Sequence, residues 1–450
     1  MPDRNRKSLL LRWLPPAAGI VLLAGGAATF FIGLKTEEHF TRSIARLNDQ
    51  HQIHLELVSY QRGLFSSRAI SRLHPEPSPS PPGSATLKEP PQEIVHQLWH
   101  GPLPRAGLHQ PRRFSLRPLL AVVKSRLLVP GSEPEERLCA RTAITFGGQA
   151  EVWFQLAAGQ RREPALAGMT LTWRELEGRL VFPLDLGDME GKLHAPGLAL
   201  TKHETAGTDQ HILEMHGLQL CFSYQQQRDD RGGVTLQATQ QLEFTALATT
   251  GEQHGPMQMT LHWRNLDRQA AGEMFNLTPW WRRLLLGPNG REIPPATAQS
   301  LVETLARLLA KSPELEIDQL RLTTPHGDAQ GRLQLTYRQR DDARPFHPIM
   351  LLSGLQLAVE AAAPAPLLAS LLKDYQYWRK SPELGADESI TAADEEEFSA
   401  SDPLADLRQR GYLAADPERD EVSLKLHYQA GELTINGQPA PLQALRYLLR

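Results

Sequence analysis

Cysteine is nearly absent from this chain: Cys139 and Cys221 are the two in 450 residues. So few thiols exclude a disulfide-stapled scaffold and any Cys-rich metal motif. An excess of one charge is also lacking. Lys and Arg number 48 against 51 Asp and Glu, for a formal net charge of -3. The cations are dispersed, so no basic stripe is available to neutralise phosphates, and nucleic acid is excluded as a partner. Chemistry-bearing motifs are missing too. No G-x-S-x-G elbow occurs, so Ser66 and Ser67 in "YQRGLFSSR" have no recognisable base beside them in sequence. "GPNGRE" at 287–292 lacks the Lys-Ser/Thr ending of a phosphate loop, and no Gly-rich turn links a strand to a helix as a dinucleotide site requires. Asp185, Asp188 and Glu190 in "PLDLGDMEG" do not match the twelve-residue calcium loop and read as a solvated turn.

Histidine is plentiful, with 16 along the chain, yet none sits in a strong ligand pattern. In "EIVHQLWH" a helix would bring Glu93, His96 and His100 onto one face as zinc ligands. Gly101 and Pro102 follow at once, and the octet also reads as a strand reaching a turn, which is expected to send the two imidazoles apart. "HILEMH" spaces His211 and His216 five apart, on opposite faces of a strand. No metal and no cofactor is expected from these patterns.

What is present begins at the N-terminus. From Trp13 to Leu34 there are 22 residues without a charge, enough helix to cross a hydrocarbon core of about 30 Å. Pro15 and Pro16 suit a first helical turn. Arg4, Arg6, Lys7 and Arg12 precede the run, which by the positive-inside rule keeps the N-terminus cytoplasmic and sends the body across. Phe30, Phe31 and Ile32 carry the apolar run past the small residues at 24–28, which argues for an uncleaved anchor over a signal peptide. The expected location is therefore the bacterial inner membrane, single-pass, with a periplasmic body.

Beyond the anchor, the length and a composition of 41% hydrophobic and 22% charged residues allow two or three domain-sized units. Residues 35–73 read as an amphipathic helix carrying Phe40, Ile44 and Leu47, then first strands in which Ile53, Leu55 and Leu57 alternate with polar residues. Residues 74–93 are rich in Pro and Ser and read as an extended linker. The body, 94–450, is β-rich. "MTLTWREL" at 169–176 and "MTLHWRNL" at 259–266 share one rule with "LCFSYQ" at 220–225, "LQLTYR" at 333–338 and "LKLHYQ" at 424–429. Apolar and polar positions alternate and end on an aromatic, which predicts half-buried antiparallel strands with Trp173, Tyr224, Trp263, Tyr337 and Tyr428 on the apolar face. Irregular spacing of the motif excludes a strict solenoid. Helices are predicted near 295–311 and 366–379, with short ones near Leu404 and Leu442, and an acidic loop at 381–402 holds eight acidic residues and no basic one. The fold class is α+β: a spanning helix, then a large, mainly antiparallel sheet with peripheral helices. In that sheet Cys139 and Cys221 either pair across strands or stand as two small apolar side chains.

The anchor together with "YQRGLFSS" at 60–67, "HGPLP" at 100–104 and "LHYQAGELTINGQPAPLQAL" at 426–445 resembles the YdgA-like family, a domain of unknown function (945) in bacterial envelope proteins. The resemblance implies periplasmic residence in a Gram-negative bacterium and brings no catalytic residue. Its motif positions, Tyr60, Arg62, Gly63, Phe65, Ser66, His100, Gly101, Pro102, Asn436 and Gly437, read as structural. Gly63 interrupts the alternation where a bulge or a close backbone approach would sit. "HGPLP" reads as a turn held by two prolines, and "ING" near 436 as a hairpin.

These features favour a noncatalytic envelope protein that binds a protein partner or itself as a scaffold. A carrier or chaperone for lipid or other apolar ligands is the alternative, and an envelope hydrolase the second alternative.

Overall fold

The computed structural model describes residues 54–74, 91–100, 119–128, 136–163, 169–184, 187–203, 209–228, 233–249, 252–276, 295–338, 353–370, 404–416 and 420–442, together with 35–38, 40–42, 44–45, Asn48 and Ala444. Its strands in the first half are β1 (His54–Arg62), β2 (Ser66–His74), β3 (Gln92–His100), β4 (Leu119–Leu128), β5 (Glu136–Thr145), β6 (Gln149–Leu156), β7 (Gly159–Glu163), β8 (Met169–Trp173), β9 (Leu176–Pro183) and β10 (Met189–His203). In the second half come β11 (Asp209–Arg228), β12 (Val234–Phe244), β13 (Ala246–Thr249), β14 (Gln253–His254) and β15 (Met257–Asp267). Helices α1 (Arg268–Asn276) and α2 (Pro295–Leu309) follow, then β16 (Glu314–Thr324), β17 (Gly327–Tyr337) and β18 (Leu355–Pro364). The chain closes with α3 (Ala405–Gln409), β19 (Ala414–Asp416), β20 (Glu421–Gln429), β21 (Glu432–Ile435) and β22 (Gln438–Ala440).

Two compact units divide the chain: residues 1–159 with 174–193, and residues 160–173 with 194–450. In the first, β1 to β6 pair each with the next and β9 adds to β6, every pairing antiparallel. Residues 35–38, 40–42, 44–45 and 48 are helical, and Phe40 packs with Leu57 and Tyr60 against the buried Ala69, Leu98 and Val123.

In the second unit the order is β11–β12–β15–β16–β17–β18–β20–β21–β22, again antiparallel throughout. Its core lies at the β20–β21 end, where Tyr428, Ile435, Leu433 and Leu426 are buried with Ala444. Leu404 and Leu413 close a second cluster under α3 with Ala365 and Val422. The Asp267 carboxylate accepts the Ala270 N–H at 2.8 Å and caps α1. The helices α1 and α2 join through the Glu273 carboxylate, which accepts from the buried Thr304 hydroxyl at 3.0 Å and from Arg307. Burial pushes that carboxyl up, but the bonds from Arg307, Thr304 and Gln269 outweigh it and hold its pKa below the usual range.

The large, mainly antiparallel sheet is as expected; some other expectations need correction, and some fall on residues outside the described ones. The described chain is mainly antiparallel strand with few helices, so the α+β description overstates the helical share. Strand alternation pervades both halves of the body, and β-pairing absorbed it. Among the described residues no helix is long and apolar enough to cross a membrane, and the run at 13–34 lies outside them. Strand β3 starts at Gln92, inside the stretch assigned to the linker. Of the helix expected at 366–379, residues through 370 are helical and the rest lies outside the described residues, as does the acidic loop 381–402. Cys139 and Cys221 stand as thiols, not as a disulfide, one on β5 in the first unit and one on β11 in the second.

Candidate functional site

The motif residues of the first unit do come together. Strands β1 and β2 form a hairpin closed by the Gly63 N–H donating to the Ser66 carbonyl at 2.9 Å, with Leu64 and Phe65 at the tip. A Cβ on Gly63 would stand 2.4 Å from the Ser66 oxygen, so the position demands glycine for close backbone approach. Of the two alternatives expected at Gly63, the close approach is the one found, and the bulge of this hairpin sits earlier, at Val58: Leu57 pairs with Ser71 and Ser59 with Ile70, leaving Val58 as the extra residue. That insertion puts Leu57 and Tyr60 on the same face, against Ala69 and Leu98. His100 joins the hairpin by donating its backbone N–H to the Phe65 carbonyl at 3.1 Å. Thus Tyr60, Arg62, Gly63, Phe65, Ser66 and His100 are one cluster. Gly101 and Pro102 lie outside the described residues, and Asn436 and Gly437 belong to the second unit.

Beneath the hairpin runs a seam of hydroxyls and imidazoles. The octet containing His96 and His100 is strand β3, not a helix, and the strand does not send the two imidazoles apart as expected: a spacing of four, an even number, puts both rings on one face. Ser67 Oγ lies 3.1 Å from His100 Nε2, and Ser71 Oγ lies 2.6 Å from His96 Nε2. The other His96 nitrogen, Nδ1, is 2.8 Å from Ser125 Oγ on β4. Phe40 covers His96 edge to face, with ring centroids 5.0 Å apart. Burial lowers the His96 pKa to about 4, so the ring is neutral, one nitrogen donating and the other accepting between two rotatable hydroxyls. Burial likewise raises Tyr60. Ser67 and Ser71 are 2% and 0% exposed, and no carboxylate orients His96, so these hydroxyls are sealed from a substrate and act in packing. The spacing Ser67/Ser71 against His96/His100 was the available sequence signal; Ser125 carried none.

The second unit presents a different surface. Read across the strands, Tyr224, Ala238, Trp263, Leu315, Leu335, Leu357, Tyr428 and Leu433 form one register row. The adjacent row runs Phe222, Gln240, Leu261, Ile317, Leu333, Val359, Leu426 and Ile435. Gln240, the one polar member, donates to the Tyr224 hydroxyl at 3.1 Å. A third row holds Leu220, Leu242, Met259, Leu320 and Leu424 with Gly331 and Ala361. Continuity depends on a bulge in β16, where Asp318 and Gln319 oppose Arg332 alone, so that Leu320 and Leu322 stay on the face of Leu315 and Ile317. The rows are buried at β20–β21, yet Met259, Leu261, Trp263, Ile317, Leu333 and Leu335 are only partly covered. The opposite face is polar: Arg332, Glu360 and Lys425 align across three strands beside a shallow cavity of about 420 Å³ that Asp318 and Arg321 also line.

No group of three His, Cys, Asp or Glu that could hold a metal ion occurs among the described residues. A family model described as "Bacterial protein of unknown function (DUF945)" matches residues 13–230 and 220–443. No curated protein and no solved structure matches the chain.

Proposed function

The chain belongs to the DUF945 family of bacterial proteins, and from that premise we propose that it is an envelope protein tethered in the inner membrane that holds an apolar ligand, such as phospholipid acyl chains, on the second unit's sheet. The single observation behind this reading is the set of apolar rows that crosses the sheet while its central residues stay partly exposed. Contiguous apolar surface of that kind is uncommon on soluble proteins unless something binds it. The tether rests on the uncharged run at 13–34 and its basic flank, and the family match opens at residue 13, where that run begins.

The test is native mass spectrometry of the full chain extracted in a mild detergent. Bound phospholipid that disappears in the double variant Leu261→Lys, Leu333→Lys, with the β-sheet circular dichroism spectrum unchanged, is the expected result. Equal lipid in both proteins, or none in either, defeats the reading.

A scaffold that binds a protein partner or itself is the second reading, favoured by the mixed-charge ladder of Arg332, Glu360 and Lys425 on the opposite face. A discrete protein partner lost in Arg332→Glu would support it. The hydrolase alternative draws no support from the sealed serines of the first unit.

A further inference from the structure

In the first unit, large apolar side chains are exposed where turns ordinarily carry polar residues. Leu64 and Phe65, at the β1–β2 tip, are 52% and 61% exposed, Phe146 in the β5–β6 turn is 53%, and Leu184 after β9 is 40%. Antiparallel pairing fixes where they stand. Strand β1 runs toward its tip, β3 and β5 run the same way, and so does β9 through its pairing with β6. All four side chains therefore lie at one end of the sheet, over a rim of about five strand spacings, roughly 24 Å.

The helix that follows residue 34 starts at that same end. Glu37 in its first turn pairs with Arg62, at the base of the β1–β2 tip, at 3.7 Å. Eleven residues on, the Asn48 amide exchanges two 2.9 Å hydrogen bonds with the Leu55 backbone near the start of β1, so the helix leads away from the rim. The uncharged run ending at Leu34 thus meets the folded body at the rim carrying Leu64, Phe65, Phe146 and Leu184.

We propose that this rim is a second, non-spanning contact with the bilayer, in which these four side chains enter the boundary between headgroups and acyl chains. The occupant is lipid and not a protein, because the anchoring run brings this edge to the membrane in every copy of the chain. The proposal rests on the tether described above. Interfacial contacts of this type bind through apolar side chains sunk roughly 5–10 Å into the boundary.

The test uses the full chain, with Cys139→Ser and Cys221→Ser, reconstituted in phosphatidylethanolamine and phosphatidylglycerol vesicles. Single cysteines at Phe65→Cys, Phe146→Cys and, at the opposite end of β1, His54→Cys carry an environment-sensitive fluorophore. Labels at 65 and 146 should lose emission to a quencher placed shallowly on the lipid chains and be protected from aqueous iodide, while the label at 54 behaves the opposite way. Carbonate-resistant association with the vesicles, measured on the same samples, reports the tether. If it holds while all three labels are quenched alike by iodide, the rim contact is wrong and the tether stands. Loss of carbonate resistance overturns the tether and the rim contact together.

Discussion

His96 Nε2 lies 2.6 Å from Ser71 Oγ, a contact that joins β3 to β2 at a position where Ser71 is wholly buried. The ring is held neutral, its pKa lowered to about 4 by burial. An unfolded chain would take up that proton near the ordinary value of about 6.5. As pH falls, the unfolded state is therefore favoured first. The penalty is absent above about pH 6.5, grows through the window and is complete below about pH 4, where it reaches roughly 3 kcal/mol. Denaturant melts at pH 7.5 and pH 4.5 should show a smaller loss of stability in His96→Gln than in the parent. Equal losses in the two proteins would remove His96 from the account.

Gly63→Ala tests the hairpin. The added methyl meets the Ser66 carbonyl oxygen at 2.4 Å, so the turn must open. Because Phe65 and His100 are tied to this turn, we expect a cost of about 1–3 kcal/mol, read as a lower thermal midpoint. An unchanged midpoint would mean that the tip tolerates rearrangement.

Asn436 takes a positive φ of 49° in the β21–β22 turn, its side-chain amide donates to the Gly411 and Tyr412 carbonyls, and its Oδ1 accepts the Lys425 N–H at 2.9 Å. Replacement by Ala removes these bonds and leaves a poor residue for the conformation, costing about 2 kcal/mol or more. Asn436→Gly should fall between the parent and Ala in chemical denaturation, because it restores only the backbone freedom.

Ala430, between β20 and β21, is also left-handed at φ 52° but makes no compensating side-chain bond. Ala430→Gly should therefore stabilise the protein by about 0.5–1 kcal/mol. A lower denaturation midpoint for this variant would contradict the assigned turn.

Local pattern carried much of the fold. Alternation marked the strands, and the recurring apolar-polar-aromatic rule put Tyr224, Trp263 and Tyr428 on an apolar face, where the structure aligns them in one row. "ING" announced the hairpin at Asn436 and Gly437, and α2 starts at Pro295 as expected and ends two residues short of 311. The buried seam was much less legible. Ser71, His96 and Ser125 belong to three strands separated by long connections, and their meeting depends on pairing registers that no short window contains.

Alone, the sequence determined which residues alternate, where the chain turns and that an uncharged N-terminal run of membrane-spanning length precedes the body, because those properties reside in neighbouring residues. Tertiary structure decided which strands face one another and where the extra residues Val58 and Asp318 fall. In a two-residue repeat one inserted residue moves everything beyond it to the other face, so the partners across the sheet select the position of each insertion.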